Sequence, residues 1–335
     1  MLPTVSHHAA ELAAAVAAVR EAGRLCRTVQ QGIDPGTLEK RDRSPVTVAD
    51  FGSQALVCRA LGEAFPDDPI VGEEDAAALR DPANAALLER VAGHVRELRP
   101  GADPDAVCAW IDRGGADGTG PRYWTLDPID GTKGFLRGQQ YAVALALLED
   151  GALQVAALCC PNLGASLAEG NGAGSVFCAV RGEGAWYLPM VADGTAPVPV
   201  RVSERDDPTL IRFCESVEAA HSSHGDAARI AAHLRIAAEP ARLDSQTKYA
   251  VVARGEAEAY LRLPRNAEYQ EKIWDHAAGV LVVTEAGGRV TDVFGKPLDF
   301  GHGRVLAANR GVIVTNGRVH DAVLDAIAAL EIGRF

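Results

Sequence analysis

The 335-residue chain has no CxxC and no CxxH spacing, although it holds seven cysteines: Cys26, Cys58, Cys108, Cys159, Cys160, Cys178 and Cys214. Thiols scattered in this way build neither a zinc site nor a disulfide framework, and a reducing, cytoplasmic setting is expected. An excess of positive charge is also missing, since 33 Lys and Arg stand against 45 Asp and Glu, a net −12. Such a balance argues against long nucleic acid as a partner, and an anionic ligand would have to be met by local positive charge. No apolar run is long enough for a membrane span, because Glu11 and Arg20 interrupt the N-terminal MLPTVSHHAAELAAAVAAVREAG. That stretch reads instead as an amphipathic first helix with Leu12, Val16, Val19, Gly23 and Cys26 on one face. No membrane partner is expected. Low-complexity tracts and internal repeats are absent as well, and nothing in the sequence speaks to oligomeric state.

What is present is ample apolar material, 47% of the residues, in a chain longer than one core usually supports. RDRSPVTVAD reads as a turn or short hairpin feeding a second helix, with Asp50 at its start. PIVGEED reads as a short strand ending in carboxylates. An Ala-rich helical region, part of a segment from Ala76 to Gly120, reads as a surface insertion. From Tyr123, strands joined by Gly-containing turns predict an antiparallel sheet. Beyond Glu204 strands and helices alternate, which places a domain boundary there: an α+β unit over 1–204 and an α/β unit over 205–335.

Carboxylates recur at the ends of these elements: Asp50, the pair Glu73 and Glu74, Asp127 and Asp130 in TLDPIDGTKGF, and Asp275 in KIWDHAAG. Taken singly, Asp50 and Asp275 read as helix caps and Glu73-Glu74 as a solvated strand end. Converging on one rim, they would repel one another and raise their pKa values unless a cation intervened. Oxygen donors of this kind suit Mg²⁺ or Mn²⁺, and a carboxylate such as Asp127 can bridge two ions about 3.5–4 Å apart, as in phosphoryl transfer. Pro128 reads as stiffening a turn that aims the Ile129 carbonyl inward, with Thr132 close enough to orient a water.

PIVGEED, WTLDPIDGTKGF and WDHAAGVLVVTEAGGRVTD resemble the signatures of the inositol monophosphatase superfamily of lithium-sensitive, Mg²⁺-dependent phosphatases. DPIDGTKGFLRGQQYAVALALLEDG, HSSHGD and DSQTKYAVVARGEAEAYLRLP look most similar to its 3'(2'),5'-bisphosphate nucleotidases, and the resemblance runs from about Ser44 to Asp292. It implies a layered α/β/α/β/α sandwich, and Glu73, Asp127, the Ile129 carbonyl, Asp130 and Asp275 as ligands for two or three Mg²⁺ ions. Asp50 and Thr132 match the pair that activates the attacking water, with Glu74 in support only. Ser245, Lys248, Arg262 and His221, together with Thr132 and Asp275, match contacts to the nucleotide; His224 is a weaker substitute for His221. From local sequence alone, Lys248 reads as a solvated helix face and Arg262 as an exposed strand position; the matched spacing reverses that preference. The implied reaction is hydrolysis of adenosine 3',5'-bisphosphate to AMP and phosphate, with 3'-phosphoadenylyl sulfate as a second candidate. The rivals are an inositol phosphate or fructose bisphosphate phosphatase and a non-catalytic nucleotide-binding regulator.

Overall fold

The computed structural model describes residues 1–33, 44–191, 194–217 and 224–334. Helix α1 (Ala9–Gln31) buries the face read from its period, Leu12, Val16, Val19, Gly23 and Cys26, and packs on α2 (Ser44–Ala64). Strand β1 (Ile70–Gly72) follows, then α3 (Ala85–Leu98) and α4 (Pro104–Asp112). Helix α4 starts where it does because Asp103 accepts a hydrogen bond from the Ala106 amide and Pro104 occupies the first turn. Next come β2 (Arg122–Asp130), the short α5 (Thr132–Leu136), β3 (Ala142–Glu149), β4 (Ala152–Cys160), β5 (Ser175–Val180), β6 (Gly184–Pro189) and β7 (Val198–Pro199).

These strands form one seven-stranded sheet in chain order. It is antiparallel apart from β1, which runs parallel to β2 with Val71 opposite Thr125. The antiparallel sheet expected from Tyr123 onward is there as β2 to β7, with β1 added in parallel at its edge; the surface insertion needs correcting. Parallel neighbours require a long crossover, and α3 and α4 supply it. Their Val91, Ala92, Val95, Val107, Cys108 and Ile111 belong to the first apolar core with α1, α2 and one face of the sheet.

The second half holds β8 (Phe213–Glu215), α6 (His224–His233), β9 (Ala241–Arg242), α7 (Thr247–Ala253), β10 (Ala259–Arg262), α8 (Ala277–Glu285), β11 (Arg289–Thr291), β12 (Val312–Thr315) and α9 (His320–Ala329). Its five strands order as β11-β12-β10-β8-β9. A middle core joins Ala144 and Leu158 of the first sheet to Tyr249 of α7, Val282 of α8 and Val314 of the second. A third core packs α6 and α9 on the far face, through Ile230, Val323 and Ile327. The layers thus run helices, sheet, α7 and α8, sheet, helices: the α/β/α/β/α sandwich. Among the described residues no helix is long and apolar enough to cross a membrane.

Candidate active site

The two aspartates of TLDPID do not sit on a turn. They end strand β2, where the register against β3 shifts: Asp127 faces Ala144, but Asp130 faces Ala142. Three residues thus oppose two, which is a bulge. In a regular strand, positions three apart point to opposite faces; the extra residue allows both carboxylates to line one cleft. Pro128 suits this place because it has no N–H to give to the ladder, and its carbonyl accepts from Ser53 Oγ at 2.8 Å. Immediately beyond, Gly131 (φ 91°) turns the chain into α5, and a Cβ there would meet Ser245 Cβ at 2.9 Å.

The cleft has a volume of about 400 Å³. Glu73, Asp127, Ile129, Asp130, Thr132 and Asp275 line it, and Ser245, Lys248 and Arg262 line it too. Because the Ile129 side chain belongs to the first core, its backbone is the part left for the cleft. Asp50 stands outside this lining. It is the seventh residue of α2, not its cap, and couples electrostatically to Glu74, Glu73 and Asp127. Asp275 lies two residues ahead of α8, whose N-cap is His276.

Crowding of like charges is the dominant electrostatic fact. Burial, reinforced by Glu73, Asp130 and Asp275, holds the Asp127 carboxyl well above the usual carboxylate range. Asp275 is raised by burial and by Asp130, and Asp130 by burial against the opposing pull of Lys248. Glu73 keeps surface open to the cleft, yet the surrounding walls, Glu74 and Asp130 push it up to about 7. Asp127 is only 2% exposed, and its Oδ1 has no hydrogen-bond partner among the described residues. A buried anionic oxygen without a donor, beside three more carboxyls, fits a hard divalent cation.

A different trio, Glu271, Asp275 and His276, brings one ligating atom each within 4.8 Å of the others. Two of its members are already engaged. Both Glu271 oxygens accept from Arg262 Nε at 3.2 Å, and both His276 nitrogens have partners, Glu271 and Tyr249. Asp275 is the member left to the cleft.

On the opposite wall, neither cation is solvated, which corrects what the local sequence suggested for both. Lys248 is 3% exposed, with Nζ donating to the Leu243 carbonyl at 3.2 Å and lying 4.9 Å from the Tyr260 ring centroid. The Arg262 side chain is 15% exposed. Ser245 holds φ 71°, and its hydroxyl donates to Thr247 Oγ1 at 2.8 Å. His221 lies outside the described residues, and of His224 only the backbone, opening α6, is described. Sequence reasoning missed Gln246, whose N–H donates to Asp130 Oδ2 at 2.5 Å. Its side chain also ties α8 in place through the Trp274 carbonyl and the Gly279 amide. It missed His276 and Glu271 as well, although His276 sits inside KIWDHAAG, the stretch singled out for Asp275, and Glu271 immediately precedes it.

An inositol monophosphatase family model matches residues 7–330. Curated relatives called 3'(2'),5'-bisphosphate nucleotidase include that of Emericella nidulans, 45% identical over 92% of this chain and 95% of its own. That of Schizosaccharomyces pombe is 44% identical over 96% of each. The Oryza sativa protein is 44% identical over 96% of this chain and 94% of its own. Among solved structures, an inositol monophosphatase from Zymomonas mobilis superposes with a TM-score of 0.66 at 18% identity, covering 97% of this chain and all of that one.

Proposed function

The chain belongs to the inositol monophosphatase family, and from that premise we propose that it is a Mg²⁺-dependent 3'(2'),5'-bisphosphate nucleotidase, hydrolysing adenosine 3',5'-bisphosphate to AMP and phosphate. Relatives of that name at 40–45% identity support the reading, and the family is generally metal-dependent. The observation that carries it is one cleft in which the partnerless Asp127 oxygen and its neighbouring carboxyls face two desolvated cations, Lys248 and Arg262.

Glu73, Asp127, Asp130, Asp275 and the Ile129 carbonyl would hold the Mg²⁺ ions, two or three per site. When bound, these supply Lewis-acid polarisation of the phosphoryl oxygens and offset charge on the leaving 3'-oxygen. Thr132, at the cleft surface, orients the attacking water through its hydroxyl. Asp50 takes up a proton from that water, and its burial beside Glu74 and Glu73 raises its proton affinity in the direction a general base needs. Lys248 and Arg262 hold the phosphate that is not cleaved, with Ser245, His221 and Asp275 as further contacts to the nucleotide. This local charge does what the field of a −12 protein does not.

Phosphate release is measured with Mg²⁺ on adenosine 3',5'-bisphosphate, 3'-phosphoadenylyl sulfate, adenosine 3'-monophosphate, inositol 1-phosphate and fructose 1,6-bisphosphate. The bisphosphate nucleotide is expected to give the highest kcat/KM. Arg262→Ala should lower that value about ten- to a hundredfold, the loss of one charge-assisted hydrogen bond of roughly 1.5–3 kcal/mol, and lower that of adenosine 3'-monophosphate less. A preference for inositol 1-phosphate would overturn the reading.

A further inference from the structure

Behind Arg262 runs a line of polar side chains buried between α7, α8 and the second sheet. Arg262 Nε donates to both oxygens of Glu271, 3.2 Å each. Glu271 Oε2 lies 3.1 Å from His276 Nε2, and His276 Nδ1 lies 2.7 Å from the Tyr249 hydroxyl. Tyr249 and His276 are at most 1% exposed and Glu271 is 6%. The Glu271 carboxylate accepts, so His276 Nε2 carries the hydrogen between them, and His276 Nδ1 shares the remaining hydrogen bond with the Tyr249 hydroxyl. Burial opposes the ionised form of Glu271, but the hydrogen bond from His276 and the charge of Arg262 outweigh it and hold its pKa below the usual range.

We propose that Tyr249, His276 and Glu271 are positioning residues that fix the guanidinium of Arg262 for the uncleaved phosphate, and so set the preference for bisphosphate over monophosphate nucleotides. This rests on the nucleotidase reading above. With its Nε edge committed to Glu271 and Nη2 within 3.5 Å of the Tyr269 hydroxyl, the guanidinium is held against swinging on its flexible stem, at the wall of the cleft. The opposite end of the line is anchored by the ring of Tyr249, which packs edge-on against Tyr260. Because His276 follows Asp275 directly, the same segment aligns the phosphate-holding cation with the carboxylate wall.

The test compares wild type, Glu271→Gln, Tyr249→Phe and the double variant. It reads kcat/KM for adenosine 3',5'-bisphosphate and for adenosine 3'-monophosphate, the Mg²⁺ concentration giving half-maximal rate, and the melting temperature. Glu271→Gln should lower the bisphosphate-to-monophosphate ratio about tenfold, as befits a charged hydrogen bond, and Tyr249→Phe about two- to threefold. Residues acting in series are non-additive, so the double variant should fall no further than Glu271→Gln alone. The Mg²⁺ requirement should not rise. An unchanged ratio in both variants overturns the proposal, as does a severalfold higher Mg²⁺ requirement in Glu271→Gln, which would make Glu271 a metal ligand. If Glu271→Gln does not fold, the ratio in Tyr249→Phe decides. A wild type indifferent to the second phosphate would instead sink the nucleotidase reading, and the positioning role with it.

Discussion

Lys248 is an amine almost without water. Burial pulls its pKa down to about 8, against the opposing pull of Asp130 and Asp244. Its charge is therefore complete below that pH and lost above it. Since kcat/KM reports the free enzyme, kcat/KM for adenosine 3',5'-bisphosphate should fall as pH rises through about 8. Lys248→Met should lower the value at every pH and abolish that alkaline limb; a limb left intact in the variant would assign the titration elsewhere. Local sequence misleads about this residue for a physical reason. In TKYAVVA every face of α7 is enclosed, because the helix lies between two sheets, and nothing in seven residues says that a lysine there has no solvent to reach.

At the scale of elements, α7 and α8 meet at a glycine. A Cβ on Gly279 would stand 2.3 Å from Tyr249 Cγ, so the two helices touch where no side chain intervenes. Gly279→Ala should cost about 1–3 kcal/mol by overpacking, read as a lower midpoint in urea with an unchanged slope; a neutral result would mean that the helices slide apart freely. Helices α1 to α4 and α6 to α9 were legible from apolar period, although Asp50 and Asp275, read singly as caps, are not caps, and the position of most proposed acids at element ends was legible too. Two features were not. The parallel pairing of β1 depends on a crossover that returns the chain some fifty residues later (Ile70 opposite Trp124), beyond any local pattern. The bulge between Asp127 and Asp130 exists only against β3, so DPID alone reads as a turn. Gln246 was illegible for a similar reason, since its partners Asp130, Trp274 and Gly279 come together only in the folded chain.

For the molecule as a whole, we propose a division near residue 204. The change of sheet between Pro199 and Phe213 supports it, while the middle core, drawn from both sides, binds the units firmly. Within that body the carboxyl cluster is a source of stored repulsion. The folded pKa of Glu73, raised to about 7 above its ordinary 4.5, means that its contribution to stability is fully present below the unfolded value and lost as pH rises through about 7. The raised values of Asp127, Asp130 and Asp275 act in the same direction. The metal-free protein should accordingly melt at a lower temperature at pH 8 than at pH 6. Mg²⁺ should raise the melting temperature more at pH 8, where it has no protons to displace. Calorimetry at the two pH values, with and without the ion, checks this; a Mg²⁺ effect larger at pH 6 would contradict it.

All seven thiols are free and buried. Cys26, Cys58, Cys108, Cys159 and Cys178 lie in the first core, and Cys160 and Cys214 in the middle one. Burial pushes those of Cys58, Cys160, Cys178 and Cys214 up to about 12, which leaves little thiolate to react. They are tamper seals. A thiol-directed reagent can mark one only while its layer gapes, so the order in which the seven are marked is a record of which layer breathes first.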